Sequence, residues 1–96
     1  LPKWLYIIII GLSAGFLEEI YYRSLLFKIL LDKNVSVPTI VRISSILFTL
    51  AHFEAGLHYM PLYLTSAFVF ALFYSRFRTI WPLIIAHSFV DIYYSF

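Results

Sequence analysis

From Trp4 to Leu17 the chain carries no charged residue, and the same holds from Pro61 to Tyr74. Long uncharged apolar runs of this kind constrain the fold more than any other feature, because water does not tolerate them side by side in a short chain. Charged residues make up 12% of the 96 residues and hydrophobic ones 62%. A soluble domain has about 25% charged residues, so this chain lacks the polar surface such a domain needs. Four apolar helices of about 20 residues, each long enough to cross a bilayer, would use nearly all of it. The expectation is an all-α, polytopic transmembrane helical bundle with about four membrane helices, forming one membrane-embedded domain over residues 1–96. The net charge of +2 is dispersed, which argues against nucleic acid as a partner and leaves membrane lipid as the surrounding medium. There is no cysteine, so neither disulfides nor thiolate metal sites arise. Leu1 stands where a start methionine would, so the chain is expected to be an excerpt of a longer protein. No basic segment followed by a small-residue cleavage site marks a signal peptide.

The pattern gives four elements. Pro2 to Leu31 reads as one long helix, interrupted by Glu18, Glu19 and Arg23 and ending at Asp32, Lys33 and Asn34. At about 1.5 Å per residue it exceeds the ~30 Å hydrocarbon core, so it tilts or its end leaves the bilayer. Thr39 to Leu57 reads as a second helix with His52 inside it, Pro61 to Tyr74 as a third, and Ile80 to Phe96 as a fourth with Pro82 in its first turn, where proline is tolerated. Lys28, Lys33 and Arg42 surround the first turn, and Arg76 and Arg78 the third, whereas the second has Glu54 and His58 but no Lys or Arg. The positive-inside rule then puts the basic turns near 28–42 and 76–78 in the cytoplasm. Glu54 and His58 read as solvated, and Tyr21, Tyr22, Tyr93 and Tyr94 as packing or interfacial aromatics.

Ionisable groups inside membrane helices cost a few kcal/mol each and normally face a bundle interior or wet cavity. Counted from the basic turns, Glu18, His52 and Asp91 lie at depths of about 21, 20 and 17 Å, and His87 at about 11 Å. Three helices therefore bring polar groups to one level. Perturbed titratable groups gathered in this way mark functional sites, although each histidine taken alone reads as a hydrogen-bonded core residue. Glu18 shares a helix face with Gly11, Gly15 and Tyr22, and the two glycines form a small-xxx-small pair that lets a neighbouring helix approach closely. Glu19 and Arg23 are spaced i, i+4 and read as a structural ion pair. Phe48 shares a face with His52, and His87 with Asp91.

Two motif matches lack their context. Gly11-Leu12-Ser13-Ala14-Gly15 fits G-x-S-x-G, but that motif needs a strand–turn–helix setting and here lies mid-helix. Asn34-Val35-Ser36 fits a glycosylation sequon but falls in a turn expected to be cytoplasmic.

In chain order, Glu18-Glu19-Ile20-Tyr21-Tyr22-Arg23 reads EExxxR, Phe48-Thr49-Leu50-Ala51-His52 reads FxxxH, and His87-Ser88-Phe89-Val90-Asp91 reads HxxxD. Three such motifs in this order on apolar helices resemble the CPBP family (CAAX proteases and bacteriocin-processing enzymes). The resemblance runs from Gly15 to about Tyr94. It implies a membrane-embedded endopeptidase, integral to a bacterial plasma membrane, acting on a peptide or protein substrate that is lipidated in the prenyl branch; bacteriocin maturation or self-immunity belongs to other branches. By that resemblance Glu18 and His52 activate water, His87 and Asp91 stabilise the oxyanion, and Glu19, Arg23 and Phe48 support the site. Prenyl endopeptidases commonly show asparagine where this chain has Asp91, and aspartate there looks more like the bacterial branches. A divalent metal such as zinc is an open alternative, with Glu18, His52, His87 and Asp91 as its ligands if an ion is bound; one Glu with two His is a known hydrolytic zinc set, while the H-E-x-x-H helix is absent. Two further readings stand beside the enzyme: a non-catalytic immunity or binding protein of the same fold, and an ion or proton transporter. Against the transporter stands the lack of a pair of broken helices in matching halves.

Overall fold

A computed structural model of the chain describes residues 1–95, with the backbone alone for Tyr94 and Ser95. The Tyr94 side chain and the expected end of the last helix at Phe96 lie outside the described residues.

The first long helix forms as expected, in three joined parts. α1 runs Lys3–Glu19, a π-helical turn follows at Ile20–Leu25, and α2 continues over Leu26–Asp32. The π turn was not read from the sequence. Its origin lies in the spacing of the buried residues, Gly11, Gly15, Glu19, Arg23 and Phe27, which recur every fourth position. At 3.6 residues per turn every fourth residue drifts about 40° around an α-helix. The wider turn, in which the Leu26 amide reaches the carbonyl of Tyr21 five residues back, resets that drift and keeps Arg23 and Phe27 on the inner face. Ser44 Oγ donates to the Tyr22 carbonyl at 3.0 Å, tying this turn to the next helix.

That next helix, α3, spans Val37–Ala51. It is shorter than the Thr39–Leu57 reading. Pro38 falls in its first turn, where no amide is needed. The helix stops at His52, whose ring nitrogen Nδ1–H donates to the Phe48 carbonyl at 2.7 Å. Two short 3-10 turns, Phe53–Ala55 and Leu57–Tyr59, follow around Gly56 at φ 110°, a left-handed conformation suited to glycine. His52 is thus a helix cap and not a mid-helix residue. α4 spans Met60–Phe77, taking Arg76 into its last turn, and Arg78 at φ 54° ends it. α5 spans Trp81–Ser95.

The four rods pack as two pairs, α1 on α5 and α3 on α4, joined by α2 and the π turn against α3. Gly11 and Gly15 do what their spacing predicts. A Cβ on Gly11 would come 2.6 Å from Ile92 Cγ1, and one on Gly15 would come 3.0 Å from the Ser88 amide nitrogen, so α5 rests directly on the α1 backbone. An apolar cluster of Phe27, Ile40, Val41, Ala71, Tyr74 and Leu83 fills the end nearest the basic turns.

Polarity is inverted relative to a soluble domain. Glu19, Arg23, Ser44, Ser45, His87 and Ser88 are buried, while Leu17, Leu50, Phe53, Ile85 and Phe89 are each more than 60% exposed. Lipid, not water, suits that exterior. Lys3–Asp32 and Leu57–Phe77 are long and apolar enough to cross a membrane by length and composition, and Val37–Ala51 is a shorter apolar helix. The observed architecture is an all-α helical bundle.

Candidate active site

On the side of the apolar cluster away from the basic turns, the expected polar residues meet. Glu18 Oε2, from the last turn of α1, lies 3.5 Å from His52 Nε2 and 3.2 Å from His87 Nε2. Asp91 Oδ2, one turn beyond His87 on α5, lies 3.5 Å from the same His87 nitrogen. The agreement in depth between three helices therefore corresponds to contact.

Both histidines are held from behind. Nδ1–H of His52 faces the Phe48 carbonyl, which can only accept, so that nitrogen carries the proton. Nδ1 of His87 donates to Glu19 Oε2 at 2.7 Å. The other oxygen of Glu19 pairs with Arg23 Nε at 3.4 Å, and Arg23 Nη2 donates to the Ala67 carbonyl on α4 at 3.3 Å. With both Nδ1 atoms committed to hydrogen bonds, each imidazole turns its Nε2 toward the Glu18 carboxylate. Glu18 Oε2 and the two Nε2 atoms thus converge on one point of the bundle.

Accessibility separates the roles. Side chains of Glu18, His52 and Asp91 are 30%, 23% and 34% exposed, His87 is 8%, and Glu19 and Arg23 are 0%. Glu18, His52 and Asp91 line the open side of the site, His87 reaches it by its Nε2 edge, and Glu19 and Arg23 lie wholly behind them. The sequence reading placed Glu18 on the face of Gly11 and Gly15. The structure puts Glu19 there, fully buried, with Glu18 at its edge, because a step of four from Gly15 leads to residue 19. The ion pair expected for Glu19 and Arg23 is present. Phe48, expected as support, stacks on His52 with ring centroids 4.3 Å apart, meets His87 edge-on at 5.6 Å, and lies 5.1 Å from the Arg23 guanidinium carbon. Glu54 and His58 are exposed at the turn beyond, as expected.

Sequence reasoning found the α4 helix but missed its contacts with the site. Tyr63 stacks on His52 at 5.0 Å, and Phe70 lies edge-on to His87 at 6.2 Å. No periodic signal could have found them, since α4 is apolar on every side.

The four residues weighed as a zinc set do not fit one as they stand. Catalytic zinc takes three protein ligands about 2 Å from a single point. Among the described residues, no group of three or more His, Asp or Glu side chains is disposed to hold an ion.

Apolar helices enclosing a carboxylate–histidine centre define a helical membrane protein with a buried polar site. Its family follows from comparison: a model described as type II CAAX prenyl endopeptidase Rce1-like matches residues 1–93, and the chain belongs to that family. The chain is 36% identical over 84 residues to a Bacillus subtilis (strain 168) protein named "Putative membrane peptidase YdiL", an alignment covering 86% of this chain and 33% of the relative. It thus spans about a third of that relative's length. No solved structure matches it.

Proposed function

We propose that this chain is the catalytic core of a membrane-embedded endopeptidase that hydrolyses a peptide bond of a membrane-associated substrate. The observation that carries the reading is the approach of Glu18 Oε2 to the Nε2 atoms of both His52 and His87, each imidazole fixed at its Nδ1. A water between Glu18 and His52 donates its hydrogens inward to these acceptors, which turns an oxygen lone pair toward a carbonyl carbon. Glu18 takes the water proton as the C–O bond forms, and later gives it to the amine nitrogen as the C–N bond breaks.

The oxyanion needs a donor. His87 sits among three carboxylates, those of Glu18, Glu19 and Asp91, and a second proton on its Nε2 supplies an N–H to the tetrahedral intermediate. Asp91 as a carboxylate has no hydrogen to give, so its part is to favour that proton on His87. The substrate is a peptide or protein reached from the lipid. We place the protein in a bacterial plasma membrane with the basic turns near 28–42 and 76–78 cytoplasmic, on the positive-inside rule.

The test compares the full-length parent with its Glu18→Gln variant in the native host at equal membrane levels, reading new peptide termini by mass spectrometry. Termini present only with the parent support the reading. Identical termini in both at equal levels would overturn it and favour a non-catalytic binding role.

A further inference from the structure

We infer that Tyr63 of α4 is a positioning residue for His52, so that the third rod, which brings no charged side chain to the site, sets its geometry without touching the reacting atoms. The inference deepens the protease reading and rests on it for its kinetic arm.

His52 follows the last helical residue of α3, at the start of the 3-10 turns around Gly56. Its backbone is held by bonds to Thr49 and Ala55, but its side chain projects past the end of α3 and its ring is part-exposed. A ring so placed needs lateral support to keep Nε2 on Glu18. It has Phe48 on one stack, 26° from parallel, and Tyr63 on another, 29° from parallel, with centroids at 4.3 and 5.0 Å. The hydrogen bond from Nδ1 to the Phe48 carbonyl fixes one edge, and the two aromatic rings limit rotation and tilt.

Tyr63 does not act in isolation. Tyr63, Ala67 and Phe70 fall at i, i+4 and i+7 of α4, one helix face. Ala67 is 1% exposed and gives its carbonyl to Arg23. Phe70 meets both His87 and the Arg23 guanidinium, at 6.2 and 5.8 Å. One face of α4 thus supports His52, His87 and the Glu19–Arg23 pair together. Of these contacts only the one from Tyr63 bears on a histidine that no carboxylate holds at Nδ1, which makes Tyr63 the residue whose loss His52 should feel most.

The stack depends on the ring and not on the hydroxyl, so Tyr63→Phe conserves it and Tyr63→Leu removes it. The full-length parent is reconstituted in nanodiscs with ¹⁵N-labelled histidine, and the His52 ring signals are identified by their loss in His52→Gln. Expected is a hydrogen-bonded Nδ1–H signal kept by the parent and by Tyr63→Phe, and broadened or lost in Tyr63→Leu at an unchanged unfolding temperature. In turnover of the peptide whose new terminus depends on Glu18, misplacing a catalytic group by a fraction of an ångström should lower kcat about tenfold with KM unchanged, and Tyr63→Phe should restore it. If leucine unfolds the protein, Tyr63→Met, which fills the space without a ring, takes its place. An unchanged His52 signal in the ringless variant, or its equal loss in Tyr63→Phe, would overturn the inference. Absent turnover in the parent would remove the protease reading alone, since the histidine signals judge the positioning without it.

Discussion

Glu19 Oε2 accepts a 2.7 Å hydrogen bond from His87 Nδ1 while the other oxygen of Glu19 faces Arg23 Nε at 3.4 Å. One fully buried carboxylate therefore neutralises a buried cation and orients a site histidine. Removing one partner of such a pair leaves an uncompensated buried charge, at a cost of about 3–5 kcal/mol. Glu19→Ala is expected to lower the stability of the full-length protein by about that amount, measured by thermal unfolding in detergent. The double variant Glu19→Leu/Arg23→Met should recover most of the loss, because apolar side chains of similar size often replace a buried pair without penalty. Turnover should not return with it, since His87 has lost its anchor. Recovery of both together would show that Glu19 serves stability alone.

The helix contact at Gly11 and Gly15 gives a graded prediction. A methyl on Gly11 meets the side chain of Ile92, which can rotate away; one on Gly15 meets the Ser88 backbone at 3.0 and 3.2 Å, which cannot. Overpacking that forces backbone shifts costs about 1–3 kcal/mol. Gly15→Ala is expected to destabilise by that amount and Gly11→Ala by distinctly less, in the same unfolding assay. Equal losses would mean that α5 rides on α1 as a rigid body over its whole length.

The two histidines should fail differently. His52 is part-exposed at a helix end, so His52→Ala is expected to lower kcat by about 10²–10⁴, the usual contribution of a positioned acid or base, with little change in unfolding temperature. His87 is buried on α5 and is the hydrogen-bond donor to Glu19 Oε2. His87→Ala leaves that oxygen unsatisfied at a cost of about 1–3 kcal/mol, and should lose turnover and stability together. Steady-state kinetics and thermal unfolding on the same preparations check both.

Much of this arrangement was legible in the sequence because a membrane makes polar residues conspicuous. Glu18, His52, His87 and Asp91 stood out against apolar surroundings, and their agreement in depth implied contact. The Gly11 and Gly15 spacing showed that a neighbouring helix packs closely there, though not that this helix is α5. What escaped was set by geometry finer than residue type. The choice between Glu18 and Glu19 for the deepest position turned on a single step around the helix, and the π turn that follows leaves no compositional mark. His52 was read inside a helix because Phe53 and Leu57 continue the apolar pattern; the ring bond to Phe48 and the left-handed Gly56 end the helix there instead. α4 escaped for the reason that makes it a membrane helix. A rod apolar on every side has no amphipathic stripe to show which face meets the protein, so Tyr63 and Phe70 looked no different from the lipid-facing Phe68.

The last prediction concerns metal. Glu18, His52, His87 and Asp91 are chemically able ligands, but among the described residues no three are disposed around a common ion. The proposed mechanism therefore draws its base from Glu18 and its oxyanion donor from His87. Dialysis of the full-length protein against a strong chelator is expected to leave turnover unchanged, with metal content followed by elemental analysis. Added zinc should inhibit, because binding at His52 occupies the Nε2 lone pair that holds the water, and binding at His87 displaces the Nε2 proton that the oxyanion needs. If chelation abolishes turnover and stoichiometric zinc restores it, the four side chains must regroup around an ion in the working protein, and the water-activating role passes from Glu18 acting alone to the metal it helps to hold.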